Sequence, residues 1–169
     1  MFPFIFLFFY YFTVAETQTD KATINALNGK WQLDKRNSES MIDLLAFIGI
    51  DRIKRNIINS LDIIDIINIT DEGFHLIRDT QRSHLDQIYK LNIYESIHNI
   101  LLGHINQLVT YKNRNLIVKM ILDNNATFIV TRRLAYPNKN KLIYINNYTL
   151  PSGVFKTCTS YFRIVNNNV

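Results

Sequence analysis

The side chains of this 169-residue chain that could do chemistry are few, and their spacing suits little of it. His75, His84, His98 and His104 fall at no metal-ligand spacing, so each reads as an ordinary strand or turn histidine. Neither a Gly-x-Ser-x-Gly nucleophile elbow nor a phosphate-cradling glycine loop occurs. Cys158 is the single cysteine, which excludes an internal disulfide framework. On an apolar segment it reads as an inert core thiol rather than a nucleophile. Nothing here supports catalysis, a cofactor or a metal. One basic cluster stands out, Arg52-Ile53-Lys54-Arg55 beside Ile57-Ile58. Three charges at about 1 kcal/mol each would suffice for a transient encounter with an anionic membrane. A solvated helix face is the competing reading. The rest of the net charge of +5 is scattered, with no aromatic-basic stripe, which argues against nucleic acid as a partner.

The elements that must position these residues come in three textures. Phe2–Val14 is an unbroken apolar-aromatic run, too short for a bilayer-spanning helix, which needs roughly 20 apolar residues. With small residues before Glu16 it reads as a signal peptide over 1–15, cleaved after Ala15, which makes the protein secreted. Sequons at Asn68, Asn125 and Asn147 are glycosylation candidates consistent with that route. A short extension over 16–26 precedes Gly29–Leu33, a strand signal. Met41, Leu44, Leu45 and Ile48 then recur at helical spacing, and Gly49 ends the run. Asp51 can cap a second helix with Ile50, Ile53, Ile57 and Leu61 on one face and Arg52, Lys54 and Arg55 largely off it. Both helices are short and must lie on something apolar.

From Ile63 onward, isoleucine-rich runs alternate with turn residues. They cover Ile63–Thr70, Phe74–Arg78, Leu85–Leu91, Tyr94–Ile97, Ile105–Tyr111, Leu116–Leu122, Thr127–Leu134, Leu142–Ile145 and Phe155–Ile164. Strands so regularly punctuated predict an antiparallel sheet, closed as a barrel or packed as a sandwich. One domain over 27–165 accounts for them, with a polar tail over 166–169.

Several segments, in order, resemble the fatty-acid-binding protein family, the intracellular lipid-binding proteins. They are Leu27-Asn28-Gly29-Lys30-Trp31 opening the first strand, Gly73–Arg78, Tyr89-Lys90-Leu91-Asn92 followed by Tyr94-Glu95, and Cys158-Thr159-Ser160-Tyr161-Phe162. The resemblance implies an all-β fold: a ten-stranded antiparallel up-and-down β-barrel, or clam, with a two-helix lid after the first strand. It implies a non-catalytic, monomeric carrier of a fatty acid or another hydrophobic small molecule. In that family the lid helices are thought to meet membranes, which would give Arg52, Lys54, Arg55 and Ile57 a portal role. With its leader, the chain is similar to the family's secreted nematode branch. Gly29-Lys30-Trp31 also fits the Gly-x-Trp start of a lipocalin, but the early helix pair and the lone cysteine do not.

The family holds its ligand carboxylate with two arginines and a tyrosine. By this resemblance the last-strand pair falls on Ser160 and Phe162. The other arginine falls on Ile121, or on Met120 one residue away. None of these anchors is kept. Alternation places Ser160 and Phe162 on the inner face together with Cys158. Arg78, Arg132 and Arg133 are the available substitutes, each with a solvated outer face as the competing reading. Loss of the anchors also leaves room for a barrel that binds no ligand and serves a structural or host-interaction role.

Overall fold

The computed structural model describes residues 25–70, 73–99 and 102–165. The leader, most of the extension and the polar tail lie outside the described residues. Among the described residues ten strands and two helices follow one another: β1 (Gly29–Leu33), α1 (Ile42–Ile48), α2 (Arg52–Ser60), β2 (Ile64–Ile69), β3 (Gly73–Asp79), β4 (His84–Lys90), β5 (Tyr94–Asn99), β6 (Gly103–Lys112), β7 (Asn115–Leu122), β8 (Thr127–Leu134), β9 (Lys141–Thr149) and β10 (Phe155–Ile164).

All strand pairs are antiparallel, in the order β4-β3-β2-β1-β10-β9-β8-β7-β6-β5. The first strand zips onto the last, Trp31 opposite Ile164, which turns a meander into a nearly closed barrel. At the remaining seam β4 and β5 share no ladder. The chain is tied there by the Leu91–Val109 bridge and by Asn92 N–H donating to Val109 O at 2.8 Å. Ten strands with the helix pair after β1 are a clam, and an eight-stranded lipocalin is set aside.

Strand limits follow the apolar runs closely, with one exception. β9 continues past Ile145 through Asn146-Asn147-Tyr148-Thr149. The ladders to β8 and β10 carry it on, Phe128 and Lys156 both facing Tyr148.

The core has two parts. At the base, Trp31, Ile67, Phe74, Leu76, Leu116 and Leu142 pack together, and the Trp31 indole N–H donates to Leu27 O at 2.9 Å. At the opposite end Leu44 of α1 seats on Ile105, Leu122, Ala126, Tyr148 and Cys158. Gly49 closes α1 at φ 94°, a left-handed turn that glycine adopts without strain, and Asp51 accepts from Lys54 N–H at 3.0 Å to start α2. The expected burial of α2 needs correction. Ile53 is 73 % exposed, and the helix turns Ile58 and Asn59 inward instead. Asn59 fixes that orientation, its Oδ1 accepting from Met41 N–H at 2.9 Å and from Ser40 Oγ at 3.2 Å.

Candidate functional site: a charged deck under a lidded cavity

Between the base and the lid lies a cavity of about 550 Å³. Leu33, Ile63, Leu76, Met120, Phe128 and Val130 line its walls, and Leu45, Ile48, Ile50 and Ile58 roof it. Such a volume is in the range of small-molecule sites. Its lower wall is polar. Asp65, an acid within the run Ile63-Ile64-Asp65-Ile66-Ile67, points inward and is fully buried. Arg78 on β3 grips it from two sides, Nε to Oδ1 and Nη2 to Oδ2, each at 2.7 Å. The Tyr144 hydroxyl, from β9, donates to Oδ2 at 2.7 Å. Burial works to raise the Asp65 carboxyl, but Arg78 and then Tyr144 outweigh it and hold the group below its ordinary value. Burial and the adjacent Asp65 charge push the Tyr144 phenol well above its ordinary value, so it stays a hydroxyl and a donor.

Arg132 on β8 sits beside this pair without a carboxylate of its own. It is 5 % exposed, and its Nε and Nη1 are enclosed without a hydrogen-bond partner. Its guanidinium carbon lies 4.7 Å from the Tyr144 ring centre and 5.2 Å from that of Phe74, which places the cation against two π-faces. One carboxylate and two guanidiniums leave the deck with one uncompensated positive charge. Asn146 and Ser160 continue the polar wall upward toward the lid.

The predicted residues divide as follows. Ser160, Phe162, Met120, Arg78 and Arg132 line the cavity. Ile121 does not; it lies on the outward face of β7, because the inner face there belongs to Leu116, Val118, Met120 and Leu122. Cys158 points inward but lies above the cavity wall, under α1, with its Sγ 3.7 Å from Ser40 O. Burial, with help from Glu39 and Asp43, pushes its thiol up to about 11. An outer face holds for Arg133, which is exposed, and fails for Arg78 and Arg132. On α2, Arg52 and Lys54 are exposed, whereas Ile57 and Arg55 are half-buried; the Arg55 Nε is enclosed. Asn68 and Asn125 are exposed and Asn147 is half-buried within β9. Asp65, Tyr144, Asn146 and Gln107 went unnoticed in the sequence. Asp65 carried a signal, a lone acid at an inward position of an isoleucine run.

His75 pairs with Asp86 and His84 with Asp79, each at 2.6 Å, both on the β3–β4 hairpin. Among the described residues no three His, Cys, Asp or Glu side chains converge as a metal site would require.

Compared by sequence, the chain matches no protein-family model and no curated protein. Compared by structure, it matches fatty-acid-binding protein 1 of Echinococcus granulosus with a TM-score of 0.70 at 15% identity, over 83% of this chain and 98% of that one. Lipid binding protein 8 of Caenorhabditis elegans gives 0.69 at 20%, over 83% and 96%. A Schistosoma mansoni fatty acid binding protein in complex with arachidonic acid gives 0.68 at 14%, over 85% and 99%. With TM-scores of 0.68 to 0.70 over nearly the whole of each neighbour, the chain has the fold of the fatty-acid-binding proteins.

Proposed function

We propose that the protein is a non-catalytic carrier that encloses one slender lipid bearing a single anionic group, held by Arg132. The observation that carries this reading is the unpaired, buried Arg132 guanidinium at the wall of a 550 Å³ cavity. A buried cation without a counter-ion is costly, and a ligand carboxylate would relieve it with charge-assisted hydrogen bonds. The chain of the ligand would gain about 0.8 kcal/mol per CH₂ buried along the apolar wall. The bound arachidonic acid named for the Schistosoma mansoni protein supports a fatty acid as the class. An open cavity favours carriage over a purely structural role.

Displacement of a fluorescent fatty acid from delipidated protein tests this. Arg132→Leu is expected to weaken fatty-acid binding about 10- to 100-fold while leaving the matching methyl ester unaffected. Failure of every fatty acid to displace the probe would overturn the carrier reading.

The secreted setting belongs to the same proposal: the leader over 1–15 would direct export, with glycans at Asn68 or Asn125. Intact-mass measurement on medium from a eukaryotic host checks it, and an uncleaved, cell-retained product would refute it. Exposed Arg52, Ile53 and Lys54 would meet an anionic membrane. Pelleting with phosphatidylserine vesicles should fall in the Arg52→Glu/Lys54→Glu variant, and unchanged pelleting would exclude that surface.

A further inference from the structure

Gln107 is out of place. It lies on the inner face of β6, 1 % exposed, between Ile105 and Val109, and both its Oε1 and its Nε2 are enclosed without a partner. A buried amide with neither donor nor acceptor satisfied costs more than an apolar side chain of the same size in the same place. Opposite it on β5, Glu95 is turned to Lys90, its Oε2 at 3.5 Å from the Lys90 N–H and its Oε1 at 4.0 Å from Nζ. On the other side Gln107 faces Met120, and Met120 faces Phe128. Met120 and Phe128 line the cavity, so the amide stands in the same inward row, one strand to the side of that lining and next to a flexible thioether that can shift aside.

Its position relative to Arg132 gives the amide a use. Pairing sets inward residues in rows across β6, β7 and β8. Tyr111, Leu116 and Arg132 form one, Val109, Val118 and Val130 the next, and Gln107, Met120 and Phe128 the third. Two rows are four residues of strand, roughly 13 Å. A ligand whose acid group sits on Arg132 and whose chain runs toward the lid passes Gln107 far along that chain, well away from its head.

Resting on the carrier reading above, we infer that the preferred ligand is an oxygenated fatty acid, with a mid-chain hydroxyl or carbonyl received by the Gln107 amide. The amide offers its NH₂ as donor and its carbonyl oxygen as acceptor, so a hydroxyl can engage both groups and a carbonyl only the NH₂. A plain alkyl chain satisfies neither.

The test is competitive displacement on delipidated protein made from the full chain, with octadecanoate, 2-hydroxyoctadecanoate and 12-hydroxyoctadecanoate as probes. Expected is about tenfold tighter binding of the 12-hydroxy acid than of octadecanoate, with no gain for the 2-hydroxy acid. Gln107→Leu should abolish that preference, keep octadecanoate affinity, and leave the ligand-free protein at least as resistant to urea. Gln107→Met, closer in shape, gives the same reading if the leucine variant fails to fold. Equal binding of octadecanoate and the 12-hydroxy acid, or a preference that survives in both variants, overturns the inference while the carrier reading stands. Failure of all three acids to bind overturns the carrier reading first, and the inference with it.

Discussion

Asp65 and Arg78 hold each other in a place where neither would stand alone. Asp65 is fully buried whereas the Arg78 side chain is 31 % exposed, so it is removal of Arg78 that strands a buried charge, and Arg78→Met is expected to cost about 3–5 kcal/mol in urea unfolding. Asp65→Leu combined with Arg78→Met should recover most of that loss, and a double variant as weak as the single one would contradict the account. The pair also sets an acid limit. Because the folded-state carboxyl is held below its ordinary value, the stability it contributes is present above the unfolded-state pKa of about 4. That contribution is lost as pH falls through this value toward the lower, folded-state one. Wild type should therefore lose its advantage over the double variant below about pH 4. A constant difference from pH 7 to 3 would show that the pair does not titrate this way.

At the scale of elements, the β3–β4 hairpin depends on Gly73. A Cβ there would lie 2.5 Å from the Tyr89 carbonyl oxygen, a backbone atom that cannot give without disturbing the pairing. Gly73→Ala is expected to destabilise by about 1–3 kcal/mol, measured by urea unfolding, and a neutral result would mean that the two strands part easily. Strand positions were legible because isoleucine runs and Asn- or Gly-containing turns alternate so regularly. Which residue of a strand faces inward was less so, since a slip of one residue flips every side chain. Met120 and Ile121 are both apolar, and Arg132 and Arg133 are both arginine, so composition could not choose between neighbours on opposite faces. The same ambiguity put Ile53 on the buried side of α2, where Ile58 lies. Asp65 is visible in the sequence as a lone acid in an isoleucine run, but its role is not, because the Arg78 and Tyr144 that hold it come from other strands.

For the whole molecule, the proposed carriage requires the lid to move against a barrel that is otherwise zipped from β4 round to β5. The links that tie α1 to the barrel are modest: the Asp43–Lys156 ion pair at 3.8 Å and the seat of Leu44 in its apolar cluster. Cys158 lies within that seat, 2 % exposed, its sulfur beneath the carbonyls of Glu39 and Ser40 that lead into α1. A thiol reagent at pH 8 meets a group that is both covered and, at a pKa of about 11, almost wholly protonated. Labelling must wait for the segment above to lift, and the chain holds no second sulfhydryl to confuse the signal. Reaction should be slow in the free protein and slower with lipid bound, and a rate equal to that of an unfolded peptide would mean that the roof does not shield it. The lone cysteine is thus a ready-made clock for the lifting of the lid.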